Sequence, residues 1–318
     1  LYSFFCLVVA PFFVIFFYGD RERLPYEADA YINMLGWFAN TNDITVPRRT
    51  FEFLVGHPSW PTEWQAHMIF MAWTDYLQTG DTEFLRKHYN WLKLISLAGS
   101  ISDTGMVDVT KISEDLKKEL RVTYPLGDIV DWPPNQRDGH EMLPNNTVTN
   151  AFIYKGFILT ANIARALGED SDNEKFTDLA SRLKAVMDVK VKGENGLYVD
   201  GIGSTHTSAH SLFIPLAFGM VDSSQRDSFL KALTTKIGEY GGGFPNSVFT
   251  AQYLLEALFE SGEDELALSL MLNKTQRGWM NMLDKYDATL THEAWDVDFK
   301  DNEDWTHPWG AAPANIIP

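Results

Sequence analysis

Apolar residues recur at helical spacing along most of the chain, with polar residues filling the positions between them. Trp64, Met68, Met71 and Ala72 share one face behind Pro61, a residue type favoured in a first helical turn. Ala151, Tyr154, Ile158 and Ala161 do the same behind the cap cluster Asn145-Asn146-Thr147, and Ala251, Leu254, Leu255 and Leu258 repeat the pattern. Each predicted helix runs into similar punctuation: Thr79-Gly80-Asp81, Leu167-Gly168-Glu169-Asp170 and Ser261-Gly262-Glu263-Asp264, a C-terminal glycine and then an acidic start. The three glycines lie about 90 residues apart, room for about two helical hairpins per interval. Stacked antiparallel helix pairs closing into an all-α, α/α toroid account for that period. Strand signals are few; Gly196-Leu197-Tyr198-Val199-Asp200-Gly201 is the best candidate for a short hairpin arm. No Pro/Ser-rich linker divides the chain, so residues 19–318 read as one domain.

The first eighteen residues stand apart, being apolar and aromatic without a single charge. They lack the basic start and small-residue cleavage site of a signal peptide, and Pro11 interrupts them as a membrane helix, so a buried segment belonging with a missing partner domain is the expectation. Across the whole chain, 45% hydrophobic residues and a mean hydropathy of -0.18 describe a globular protein. The net charge of -17, with no basic cluster to offset it, excludes nucleic acid as a partner and favours a neutral, hydroxyl-rich ligand. Cys6 is the only cysteine, which rules out an intrachain disulfide or a cysteine metal site and leaves cytoplasm and periplasm both open.

Acidic and aromatic residues concentrate in a few segments. The run Asp20-Arg21-Glu22-Arg23-Leu24-Pro25-Tyr26-Glu27-Ala28-Asp29 has a late counterpart in Thr291-His292-Glu293-Ala294-Trp295-Asp296. Between helices, Asp128-Ile129-Val130-Asp131-Trp132-Pro133-Pro134 and Asp304-Trp305-Thr306-His307-Pro308-Trp309-Gly310 add further acids and tryptophans. In a toroid such loops gather at one mouth, where aromatic faces cover the apolar side of a pyranose and carboxylates accept from its hydroxyls. Two acids there suit glycoside hydrolysis, one protonating the leaving oxygen and the other activating water. Blander readings apply to each feature singly: Trp73 and Trp91 suit a core, and the Asp20–Asp29 run suits a solvated helix start. His292-Glu293 lacks the second histidine of a zinc protease, since Asp296 stands there, and His206 with His210 lacks a third ligand; no metal is expected. There is neither a phosphate-binding glycine loop nor a Gly-x-Ser-x-Gly elbow.

Taken in order, these segments resemble the bacterial α-L-rhamnosidases of glycoside hydrolase family 78. The resemblance is carried by Gly19–Tyr31, Trp60-Pro61-Thr62-Glu63-Trp64, Asp128–Pro134, Arg137-Asp138-Gly139, Asn146-Thr147-Val148, Thr291–Asp296 and His307-Pro308-Trp309-Gly310-Ala311-Ala312. It implies an (α/α)6 barrel, flanked in full enzymes by β-sandwich domains that this chain lacks, and hydrolysis of terminal α-L-rhamnose with inversion, without cofactor or metal. It implies Glu22 as general acid, Glu293 as general base and Asp29 as a substrate-binding carboxylate, with His307 an active-site histidine. Asp131 and Trp132 match a pair bordering the sugar, while Asp20, Arg23, Tyr26, Trp295 and Trp309 are expected beside it. Tyr26 stands where many members have Trp, Tyr18 where close relatives carry Asp, and Leu212 where they tend to have Asn. The partner implied is a rhamnose-containing glycoside; a membrane is not expected, and the bacterial periplasm or exterior is favoured over the cytoplasm. Two alternatives keep the same toroid. One is another exo-glycosidase, such as an unsaturated uronyl hydrolase using Arg21, Arg23 or Arg137 on a sugar carboxylate. The other is a truncated barrel that binds sugar without turning it over.

Overall fold

The computed structural model describes residues 24–123 and 125–316, so the apolar 1–18 segment and Asp20, Glu22 and Arg23 lie outside the described residues. Thirteen α-helices follow one another among the described residues: α1 Glu27–Asn40, α2 Thr45–Gly56, α3 Gln65–Thr79, α4 Thr82–Ile95, α5 Glu114–Glu119, α6 Thr147–Leu167, α7 Asp170–Lys190, α8 Ala209–Ala217, α9 Arg226–Glu239, α10 Ala251–Glu260, α11 Asp264–Met271, α12 Trp279–Tyr286 and α13 Ala312–Ile316. Their packing closes a ring. Helix α1 touches α3, α3 touches α6, α6 touches α8, α8 touches α10, α10 touches α13, and α13 returns to α1. Helices α2, α4, α7, α9 and α11 each pack on the inner helix that precedes them in the chain. The all-α toroid expected from the sequence is the fold.

Inner and outer helices differ as their surroundings require. All nine residues of α8 are buried, and α6 buries fifteen of its twenty-one, because neighbours press on it from several sides. Its outer partner α7, equally long, buries only Phe176, Ala180, Leu183 and Met187, a single stripe at helical spacing. Helix α9 likewise buries Phe229, Leu230, Leu233 and Ile237. The centre of the ring is filled rather than open. Phe70, Phe152, Phe218 and Tyr253 meet there around His67, whose Nε2 lies 2.5 Å from the Tyr253 hydroxyl. Burial pushes the His67 imidazole down to about 3, so it is a neutral hydrogen-bonding member of the plug.

Several local expectations hold. Gly80 and Gly168 are left-handed C-caps of α3 and α6, a conformation that costs glycine nothing. Asn146 caps α6, its side chain accepting from the Thr149 N–H at 2.8 Å. Two expectations shift. Helix α3 starts at Gln65 rather than beside Pro61, because Pro61 pairs with Gly127 in a parallel bridge. The 196–201 arm contributes only isolated pairs, Lys192 with Tyr198 and Asn146 with Gly201, because its backbone bonds go to scattered partners at Val191, Gly193, Thr147 and His206 rather than to one neighbouring strand. Trp73 and Trp91 pack against the core, half-buried.

Tyr253→Phe would leave His67 Nε2 buried without its partner. Thermal or denaturant unfolding of that variant is expected to show a loss of about 1–3 kcal/mol, with far-UV circular dichroism unchanged.

Candidate functional site

Because outer helices alternate with inner ones, the loops that enter the inner helices collect at one end of the ring. They enclose a cleft of about 370 Å³ lined by Tyr26, Asp29, Trp60, Pro61, Trp64, Ile129, Trp132, Glu293, Lys300, Asn302, His307 and Trp309. Glu293, one of its acids, is held from several sides. Trp132 Nε1–H donates to its Oε1 at 3.2 Å, the Asp304 backbone N–H donates to Oε2 at 2.9 Å, and the Lys300 ammonium lies 3.1 Å from Oε2. Its backbone is fixed as well, with the N–H on Asp304 O at 2.8 Å and the carbonyl taking Trp309 Nε1–H at 3.1 Å. Among the described residues, Trp132, Asp304 and Lys300 each turn a donor or a cation toward that side chain.

Opposite stands the start of α1. Asp29, in its first turn, lies 3.8 Å from His307 Nε2, and the His307 ring packs on Trp309 with centroids 4.1 Å apart. Tyr26 meets the edge of Trp64 at 5.7 Å. Glu27 faces away from the cleft: it accepts from the Ser59 N–H at 2.8 Å and from the Ser59 hydroxyl, tying the Trp60 segment to α1. Burial pushes the Glu27 carboxyl up, with the Ser59 donors working against it.

Asp131 does not reach the cleft. Its carboxylate is fully buried and accepts from Trp132 N–H at 2.9 Å, His210 Nε2–H at 2.6 Å, Ser247 N–H at 2.8 Å, Thr250 Oγ1–H at 2.7 Å and the Ser247 hydroxyl. Expected beside the sugar, Asp131 thus lies behind the cleft lining, both oxygens taken by donors from its own loop, from α8 and from the entry to α10. Trp295, also expected beside the sugar, is fully buried between Phe244 and Trp279, with Nε1–H on Asn246 O at 2.7 Å. Of the other expected site residues, Tyr26, Asp29, Trp132, Glu293, His307 and Trp309 are brought together in the lining. Arg137 turns inward, its Nε–H donating to Asp131 O at 2.8 Å. His206 and His210 serve separate carboxylates, Asp200 and Asp131, each at 2.6 Å. Leu212 is buried in the core.

Lys300, Asn302, Ile129, Trp60 and Trp64 also line the cleft, without a role assigned from sequence. The two tryptophans and Ile129 fall inside motifs already singled out. Lys300 carries no local signal, since only the fold turns it onto Glu293.

A closed ring of inner helices with a carboxylate cleft at one mouth is the architecture of a six-hairpin glycosidase domain. Residues 19–318 match the family described as the bacterial alpha-L-rhamnosidase 6 hairpin glycosidase domain, and the chain belongs to that family. An alpha-L-rhamnosidase of Formosa agariphila is 21% identical over 280 residues, 85% of this chain and 28% of that protein. Among solved structures, the alpha-L-rhamnosidase from Dictyoglumus thermophilum superposes with a TM-score of 0.70 at 20% identity, covering 92% of this chain and 33% of the other. A rhamnosidase of the GH78 family from Bacillus sp. GL1 gives a TM-score of 0.72 at 17% identity, covering 93% and 32%. The chain thus spans about a third of the length of these relatives.

Two stability predictions follow from the mouth. Asp131→Ala strips a buried carboxylate from His210, Ser247 and Thr250, and a loss of about 3–5 kcal/mol in chemical denaturation is expected. Asp200 accepts from Glu141 N–H, Ser208 N–H and Ser211 Oγ–H, all within 2.9 Å, and has His140 and His206 beside it. Burial pushes its carboxyl up, but the His140 and His206 contacts and the backbone donors outweigh that and hold it well below the ordinary 3.8. Burial lowers His140, which therefore serves Asp200 as a neutral N–H donor near pH 7. A depressed carboxylate contributes stability that is complete above its unfolded value and lost as pH falls below it. The thermal midpoint should drop below about pH 4, and Asp200→Asn should flatten that drop while lowering the midpoint at pH 7.

Proposed function

We propose that residues 19–318 form the catalytic domain of an inverting glycosidase that releases terminal α-L-rhamnose, with Glu293 as general base and Glu22 as general acid. The observation that carries this reading is the Glu293 carboxylate, held by Trp132, Asp304 and Lys300 in the lining of a tryptophan-walled cleft, in a chain of the rhamnosidase family. Water sits between Glu293 and the anomeric carbon. Its oxygen attacks that carbon as its proton passes to Glu293, while Glu22 protonates the departing glycosidic oxygen. Glu22 lies outside the described residues but inside the matched 19–318 stretch. Asp29 and His307 are suited to the sugar hydroxyls, and Tyr26, Trp132 and Trp309 to the apolar face and C5 methyl, where small-group discrimination amounts to about 1–3 kcal/mol. Lys300 is the cation lining the cleft among the described residues, and its ion pair with Glu293 leaves it ill placed to receive the carboxylate of a uronate.

Release of 4-nitrophenol from 4-nitrophenyl α-L-rhamnopyranoside tests the reading. Glu293→Gln should lose on the order of a thousandfold in kcat on any substrate. Glu22→Gln should lose far less on the aryl glycoside than on a rhamnosyl disaccharide, because phenolate leaves without protonation. Lys300→Met should cost about tenfold in kcat/KM, the worth of one charge-assisted contact. Proton NMR should show β-rhamnose as the first-formed product. An α product, or Glu293→Gln turnover equal to wild type, would overturn the assignment.

A further inference from the structure

Glu63 stands behind the cleft rather than in it. Its side chain is fully buried, and Oε1 accepts from two successive backbone N–H groups, those of Ile129 at 2.9 Å and Val130. Val130 has a φ of 60°, in the left-handed region that a β-branched residue resists. Two residues later, Trp132 donates to Glu293 Oε1. We propose that Glu63 is a positioning residue that holds the 129–132 turn in this conformation and, through Trp132, sets the Glu293 carboxylate. The inference rests on the reading of Glu293 as the base.

The carboxyl groups behind the turn come as a pair. Asn146 Nδ2–H donates to Asp128 Oδ2, while Asp128 Oδ1 and Glu63 Oε2 are buried without a hydrogen-bond partner among the described residues. Asp128 and Arg137 are the charged groups acting on Glu63, and Asp108 acts on Asp128 in turn. Arg137 Nε–H is engaged with Asp131 O, so it does not close an ion pair with Glu63 through that group. Burial, and then the Asp128 charge, push Glu63 up to about 8, and burial pushes Asp128 up to about 6. Near neutral pH the pair keeps one proton, carried by Glu63. Its Oε1 is then the carbonyl oxygen that accepts from both amides.

The sign of the pH effect follows. The folded chain keeps a proton that the unfolded chain releases above the ordinary 4.5, so stability falls as pH rises from there to about 8 and levels beyond. The test measures the thermal midpoint from pH 5 to 9 for wild type, Glu63→Gln, Glu63→Asp and Glu63→Leu, with kcat per folded molecule on 4-nitrophenyl α-L-rhamnopyranoside at pH 6.5. Glu63→Gln, which imitates the protonated acid, should flatten the fall in midpoint and keep most of the turnover. Glu63→Asp, one methylene short, and Glu63→Leu, without an acceptor, should lose on the order of tenfold or more in kcat. A Glu63→Gln curve parallel to wild type would overturn the proposal, as would wild-type kcat in Glu63→Asp or in folded Glu63→Leu. If wild type turns over no rhamnoside, the proposed function fails separately and the midpoint curves decide Glu63 alone.

Discussion

Between Gly127 and His140 regular structure amounts to one 3-10 turn, Pro134–Gln136, yet this loop carries Trp132 onto Glu293. What replaces secondary structure is the Asp131 carboxylate, which gathers donors from its own loop, from α8 and from the entry to α10. A buried charge is tolerated only when every lone pair is used, and here the donors come from three separate parts of the ring. The same carboxylate therefore joins the inner helices at the mouth and fixes the aromatic wall of the cleft. Asp138 and Asp200 repeat the arrangement nearby, Asp138 accepting from Ala209 N–H and Tyr240 O–H and Asp200 from Ser208 N–H.

Why so many carboxylates collect at one end follows from the topology. Each outer helix returns the chain to the same side, so inner helices run parallel and their N-termini share the mouth. Those termini offer unpaired backbone N–H groups and the positive end of the helix dipole. The net charge of -17 would disfavour burying acids at random. At this end the backbone supplies the compensation, which is why Asp29 sits in the first turn of α1 and Asp200 takes the N–H of the α8 cap residue Ser208.

The toroid was legible in the sequence because its signals are local: a stripe of apolar residues, an Asn146 cap, a glycine after the last turn. Helix faces were less so. Tyr154 and Ile158 are only partly buried although they fall on the expected stripe of α6, since an inner helix is pressed from several sides and has no single apolar face. The site divides in the same way. Glu293, Trp132 and His307, all in the cleft lining, stand out in the sequence because acids and aromatics in loops are chemically conspicuous. Asp131 and Trp295 are equally conspicuous but face inward, and alternation in an irregular loop has no period from which to read direction. Lys300 was missed for the opposite reason, being an ordinary residue made significant by a contact with Glu293 seven positions away.

The division between residues that touch the cleft and residues that hold it has a physical cause. Trp132 is only half-buried and Glu293, though buried, borders the open cleft, so packing alone does not fix either. Their supports, Asp131, Glu63 and Asp304, lie one layer down and reach them mainly through backbone N–H groups rather than side chains. Backbone donors have few torsions to lose, and the carboxylates that accept from them are themselves buried and immobile. Order at the cleft surface is thus imposed from beneath. A substitution in that lower layer should disturb Glu293 about as much as one beside it, though it never meets a ligand.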